Sequence, residues 1–99
     1  MDLISKNIDK ILTVCKEHEV EKLYVFGSVL NEKFSHDSDV DLLVRFKKME
    51  VLDYFDNYLE MKESLEKIFD RQVDLLEEQT IKNPILKKSI DRNKMLIYG

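Results

Sequence analysis

Apolar residues follow two different periods along the chain, and the change of period predicts where helices and strands lie. Between residues 2 and 19 they recur every three or four positions, which is the spacing of one helix face. Between residues 39 and 46 they recur at every second position, which is the spacing of one strand face. Over the whole chain these patterns predict, in order, a helix over 2–19, a buried strand over 23–26, a short helix over 28–34, a polar turn over 35–38, a strand over 39–46, a long helix over 49–69, a strand over 73–76, a helix from 84 to about 93, and an edge strand or packed tail over 95–98.

The long predicted helix carries more apolar residues than one narrow stripe requires. Core packing between two layers and a surface left for a partner both produce this pattern. Packing in a small protein is the simpler interpretation, so we expect the helically spaced set to face inward: Val51, Phe55, Tyr58, Met61, Leu65 and Ile68. The same spacing places Leu86 and Ile90 on the inner face of the last helix.

A length of 99 residues leaves room for one hydrophobic core, so we expect a single domain over residues 1–99. No apolar run is long enough to span a bilayer, and the N-terminus lacks the basic-then-apolar order of a signal peptide. Cys15 lies on the apolar face of the first helix and is interpreted as a small buried hydrophobe. Together these features predict a cytoplasmic protein with neither a membrane anchor nor an internal disulfide.

The formal net charge of −4 argues against direct nucleic-acid binding, because such proteins usually present a basic face. Lysine pairs occur at 47–48 and 87–88, but acidic residues lie nearby, so a solvated surface explains them better. An acidic protein can still bind a nucleotide when metal ions bridge the like charges.

Gly27 and Ser28 follow the first predicted strand directly. A glycine there lets the chain turn sharply and lets a ligand approach the backbone. If a helix begins at Ser28, its free N–H groups favour an anion such as a triphosphate. The alternative is an ordinary strand-to-helix turn with a capping serine, which a Gly-Ser pair alone usually indicates.

Asp39 and Asp41 begin the second predicted strand and project from the same face, with Cα atoms about 6.5 Å apart. Two such carboxylates repel each other unless a hard cation such as Mg²⁺ lies between them. The alternative is a pair of polar residues at the exposed start of a strand.

Asp74 interrupts the third apolar run, where a charge is costly unless it is paired or bound to a metal. If its strand lies beside that of Asp39, a third carboxylate joins the site and can accept a proton from an attacking hydroxyl. The alternatives are a solvated edge residue and a partner for Arg71 or Arg45. His36 lies in the predicted turn and is interpreted as an ordinary loop histidine.

The combined pattern resembles the signature of the polymerase-β-type nucleotidyltransferase superfamily. Phe26-Gly27-Ser28 is followed, after ten residues, by Asp39-Val40-Asp41-Leu42-Leu43-Val44. The short length and the later Arg71-Gln72-Val73-Asp74-Leu75-Leu76 are similar to the minimal nucleotidyltransferases of bacteria and archaea.

The resemblance implies an α/β (α+β) fold, a small mixed β-sheet of three to four strands with helices packed mainly on one side. It implies that Gly27 and Ser28 bind the triphosphate of ATP, and that Asp39 and Asp41 bind two Mg²⁺ ions. Asp74 would be the third carboxylate, a metal ligand that helps activate the acceptor. The implied reaction is the transfer of AMP from ATP to a hydroxyl, with release of pyrophosphate.

Minimal members of this superfamily often pair with a small helical toxin of the HEPN class. The resemblance therefore implies an antitoxin that adenylylates a tyrosine of its partner. Two alternatives remain: an antitoxin that inhibits by binding alone, and an enzyme that modifies a small hydroxylated molecule. The retention of all three aspartates favours catalysis, and the short chain disfavours a separate domain for a small acceptor. The sequence leaves the nucleobase, the acceptor and a possible oligomer open.

Overall fold

A computed structural model describes residues 2–27 and 38–99 and shows one β-sheet flanked by helices. In chain order the elements are α1 (Asp2–Lys6), α2 (Ile8–Glu17), β1 (Val20–Phe26), β2 (Val40–Phe46), α3 (Val51–Phe69), β3 (Val73–Glu77), a short 3₁₀ helix (Glu78–Thr80), α4 (Pro84–Asn93) and β4 (Met95–Tyr98).

The sheet has four strands in the order β3-β2-β1-β4. β1 pairs antiparallel with both β2 and β4, whereas β2 pairs parallel with β3. The parallel pair needs a crossover connection, and α3 supplies it. The expected α/β (α+β) fold with a small mixed sheet is confirmed.

The main hydrophobic core lies between one face of this sheet and the helices α1, α2 and α3. Apolar residues at alternate strand positions meet the apolar faces of these helices. The core includes Ile4, Ile11, Val14 and Cys15 from the first two helices, Leu23, Val25, Val40, Leu42, Val44, Val73 and Leu75 from the strands, and Met61, Leu65 and Phe69 from α3.

The opposite face of the sheet is covered in part by α4. Leu43 and Ile90 are both buried outside the main core. At the end of α4, the Nζ atom of Lys94 lies 4.3 Å from the centroid of the Tyr24 ring. The helices are therefore packed mainly, but not entirely, on one side, as expected.

The first predicted helix is wrong as a single element, because the chain breaks at Asn7 into α1 and α2. The Asn7 side chain donates a hydrogen bond from Nδ2 to the carbonyl oxygen of Leu3 at 2.9 Å. Asparagine competes with the helical backbone for such bonds, which explains the break. β1 also begins at Val20, three residues before the predicted start. The prediction began later because Glu21 and Lys22, which are exposed, interrupt the apolar pattern.

Two inner-face predictions are also wrong. Phe55 of α3 is 62% exposed, and Leu86 of α4 is 44% exposed. The single sheet covers only one side of each helix, so the wide apolar surface is left partly in solvent. Ile90 is buried as predicted, and β4 is the predicted edge strand.

The cap of α4 forms as the sequence indicates. Oδ1 of Asn83 accepts a hydrogen bond from the backbone N–H of Ile85 at 2.9 Å, and Pro84 occupies the first turn. Among the described residues, no helix combines the length and the apolar character that a membrane crossing requires. The predicted helix over 28–34 and residues 35–37 of the predicted turn lie outside the described residues.

Candidate active site

Asp41 and Asp74 are direct neighbours across the sheet. Their Cα atoms are register partners in the parallel pairing of β2 with β3. The adjacent residues Val40 and Val73 are also partners, and both are buried in the main core. Since side chains alternate between faces, both carboxylates project from the opposite face, on strands about 4.8 Å apart. Like charges in this position repel, so the pair is suited to a cation.

The chain segments that lead into these two strands are tied to each other. Arg71 donates a hydrogen bond from Nη1 to the carbonyl oxygen of Ser38 at 3.0 Å. The backbone N–H of Val40 donates to the carbonyl oxygen of Gln72 at 3.1 Å. Asp39 lies between the two bonded residues, Ser38 and Val40, and is exposed at the edge of the site. These bonds hold the start of β2 in a fixed register against the start of β3.

Gly27 lies against the carboxylate of Asp41. The pairing of Phe26 with Asp41 brings the end of β1 to this point, where Gly27 adopts a φ of +77°. A Cβ atom built at position 27 would lie 2.2 Å from Oδ2 of Asp41. Glycine is therefore required both by the backbone conformation and by the space that the carboxylate occupies.

Helix α3 supports the β3 edge on which Asp74 lies. The Tyr58 hydroxyl donates a hydrogen bond to the carbonyl oxygen of Leu75, and Oε2 of Glu66 accepts from the backbone N–H of Val73 at 3.1 Å. Burial raises the pKa of Tyr58, and the nearby Asp74 raises it further. The two α3 side chains thus bond to the residues on either side of Asp74.

The carboxylates of the site fit a Mg²⁺ ion whose other ligands are waters and substrate phosphates. Among residues 2–27 and 38–99, no three carboxylate, histidine or cysteine side chains are grouped closely enough to hold a metal by themselves. Mg²⁺ is, however, usually held by one or two carboxylates together with waters and substrate phosphates. The neighbouring Asp41 and Asp74 match this arrangement, in which phosphates and waters complete the metal's ligands.

The structure brings together four of the five residues singled out in the sequence. Gly27, Asp41 and Asp74 lie at the same end of the neighbouring strands β1, β2 and β3, and Asp39 adjoins them. Ser28 and His36 lie outside the described residues.

Sequence reasoning missed the two supporting side chains of α3. Tyr58 occupies a helical core position, and its only distinguishing signal was a hydroxyl that needs a partner when it is buried. Glu66 gave no signal of its own, because it resembles any other acidic residue on a solvated helix face.

Cys15 takes no part in this chemistry. It is fully buried in the main core, and burial raises the pKa of its thiol to about 12. A thiol held in its neutral form is a poor nucleophile. Its interpretation as a buried hydrophobe is confirmed.

The chain is similar in sequence to a known protein family and to proteins of other organisms. Residues 9–99 match the protein family described as Polymerase beta, Nucleotidyltransferase. A protein of Methanocaldococcus jannaschii, named as a candidate protein adenylyltransferase, is 34% identical over 101 aligned residues, which cover 94% of this chain and 98% of that protein.

Solved structures show the same architecture. A structure described as a candidate minimal nucleotidyltransferase superposes with a TM-score of 0.77 at 30% identity, covering 96% of this chain and 95% of that chain. A complex described as a tri-AMPylated Shewanella oneidensis HEPN toxin with an MNT antitoxin superposes with a TM-score of 0.67 at 18% identity, covering 96% of this chain and 71% of that chain. At that identity the second likeness shows the fold alone.

Proposed function

The chain belongs to the polymerase beta nucleotidyltransferase family, and we propose that it transfers AMP from ATP to a tyrosine hydroxyl of a HEPN-type toxin. One observation carries the proposal above the others. Asp41 and Asp74 are register partners on one face of the sheet, and Gly27 packs directly against Asp41. This places two like charges side by side at the end of β1, an arrangement that suits a metal-bridged phosphate better than it suits stability.

Each residue of the site has a defined task in this reaction. Asp41 and Asp74, with the adjoining Asp39, would hold Mg²⁺ together with the phosphates of ATP, and the bound ion would supply charge neutralisation at those phosphates. Gly27 and Ser28 would meet the triphosphate. Asp74 would accept the proton of the tyrosine hydroxyl while the tyrosine oxygen forms a bond to the α-phosphorus of ATP. The bond from that phosphorus to the bridging oxygen then breaks, and pyrophosphate leaves.

The acceptor is proposed to be a protein because the described chain offers little to enclose a small molecule. Asp74 and Asp39 are exposed to solvent. A partner that covers this edge would exclude water and complete the site. The name of a related protein supports this choice, since it is a candidate protein adenylyltransferase.

Label transfer tests the proposal directly. The proposed partner, a HEPN-type toxin, is incubated with the protein, Mg²⁺ and ATP labelled on its α-phosphate. We expect label on a tyrosine of the partner, located by mass spectrometry, and loss of that label in Asp39→Asn/Asp41→Asn. Asp9→Asn is the matched control, because it removes an exposed carboxylate in the first turn of α2.

Two results would overturn the proposal. Undiminished label transfer by the double variant would remove the aspartates from the chemistry. Neutralisation of the toxin in cells by the double variant, with no label on the partner, would show an antitoxin that acts by binding alone.

A further inference from the structure

Glu77 is a buried carboxylate with an unused hydrogen-bond acceptor. It ends β3 on the core face of the sheet and is only 7% exposed. The backbone N–H groups of Gln79 and Thr80 donate hydrogen bonds to its carboxyl group. Its Oε1 atom is buried and accepts no hydrogen bond from the residues that the structure describes. A buried acceptor of this kind is a position that a donor from outside the described residues can satisfy.

A pocket of about 280 Å³ opens beside this carboxylate. Its walls include Glu77 and three aromatic side chains from one face of α3, Tyr54, Phe55 and Tyr58. The rings of Tyr54 and Tyr58 are stacked, with centroids 6.5 Å apart and planes inclined by 16°. The lining of the pocket thus combines an acidic residue with aromatic side chains.

The rim of the pocket is apolar and its surroundings are acidic. Phe55, a wall residue, is flanked on the same helix face by Leu52, which is 89% exposed, and Leu59, which is 40% exposed. Residues 51–61 and 73–80 contain six carboxylates and no lysine or arginine. Arg45, whose charge acts on Glu77, is already paired with Glu78 at 3.2 Å.

We propose that this pocket binds an arginine side chain of the partner protein, with the guanidinium donating to Glu77 and the apolar rim covered by neighbouring partner residues. A guanidinium is planar, stacks on aromatic rings and is more weakly hydrated than an ammonium, which suits a half-closed aromatic pocket. The acidic surroundings select a basic partner surface and steer its approach. The wall residue Tyr58 donates a hydrogen bond to Leu75, the residue after Asp74, so the pocket adjoins the aspartate site along β3. A partner anchored there would lie beside Asp39, Asp41 and Asp74.

The inference rests on the proposed function in taking the partner to be a protein, but the pocket itself requires neither ATP nor Mg²⁺. Nuclear magnetic resonance of the ¹⁵N-labelled protein, without nucleotide or metal, therefore tests it alone. The probe is N-acetyl-arginine methylamide, and its control is the citrulline analogue, which has nearly the same shape but no charge. Concentrations up to roughly 50 mM exceed the millimolar Kd expected for a single anchored side chain.

We expect saturable shifts of the Tyr54, Tyr58 and Glu77 amide signals with the arginine probe. Affinity should fall about tenfold or more in Glu77→Gln and with the citrulline analogue, because a charge-assisted hydrogen bond is lost. Glu63→Gln on the exposed side of α3 removes the same charge and should bind like the wild type. The dispersion of the amide spectrum shows that each variant is folded.

Three outcomes would overturn the inference. They are an absence of saturable shifts, equal binding by Glu77→Gln, and equal binding of the two probes. None of them bears on AMP transfer, whose failure would appear in the labelling experiment instead.

Discussion

The backbone of Gly27 and the carboxylate of Asp41 occupy adjoining space, because a Cβ at position 27 would lie 2.2 Å from Asp41 Oδ2. The contact joins the end of β1 to the second residue of β2, where the strands pair through Phe26. A residue noticed in the sequence as a turn former is thus also part of the wall of the acidic site.

Gly27→Ala is expected to destabilise the protein and to weaken ATP binding. The φ of +77° alone costs alanine about 1–2 kcal/mol, and the clash displaces Asp41 in addition. Urea unfolding measures the first effect and calorimetric titration of ATP measures the second. The double variant Gly27→Ala/Asp41→Ala removes the clashing oxygen and should recover part of the lost stability. If it is no more stable than Gly27→Ala, the contact with Asp41 is not the cause.

Magnesium is expected to raise the melting temperature of the wild type. An ion that binds only the folded state stabilises it by mass action, and here it would also relieve repulsion between the register partners Asp41 and Asp74. The rise should be absent in Asp39→Asn/Asp41→Asn and after addition of EDTA. Asp9→Asn should respond like the wild type. A similar rise in the double variant would place the ion elsewhere on the protein.

Tyr58→Phe is expected to lower the free energy of unfolding by about 1 kcal/mol, the usual value of one intramolecular hydrogen bond. The variant keeps the ring but frees the Leu75 carbonyl at the β3 edge. Tyr54→Phe is the matched control, since it removes the hydroxyl of the ring stacked on Tyr58 and leaves the bond to Leu75 in place. Urea unfolding of the two variants should therefore separate them. Equal losses would mean that the bond does not hold β3.

Glu77 is expected to make stability fall as the pH rises. Burial raises the pKa of this carboxyl above its ordinary 4.5, so the folded state binds the proton more tightly than the unfolded state does. Its contribution is then fully present below the unfolded pKa and is lost as the pH rises through the raised folded value.

Denaturant unfolding between about pH 4 and pH 8 measures this effect as the difference between the wild type and Glu77→Gln. The variant should gain relative stability with increasing pH, while Glu63→Gln controls for the loss of one charge. A constant difference across that range would show that Glu77 titrates no differently in the folded and unfolded states.

Part of the candidate site follows directly from local sequence. Gly27 stood out because it ends an apolar strand, and Asp39 and Asp41 stood out because they begin another with two-residue spacing. Asp74 stood out as the single charge in an apolar run. These signals depend only on residues close in the sequence, so they can be recognised without knowledge of the fold. The register of the strands cannot be recognised in this way, because the pairing of Asp41 with Asp74 joins residues separated by the whole of α3.

The sequence by itself determined the four strands, the long α3, the capped start of α4, the buried Cys15 and the acidic strand beginnings, since short-range spacing and capping chemistry specify each of them. Tertiary structure decided the rest. It exposed Phe55, placed Gly27 against Asp41 and Tyr58 beside β3, and buried Glu77 with one oxygen unsatisfied. Each of these outcomes depends on which elements lie side by side, and the packing of the whole chain settles that.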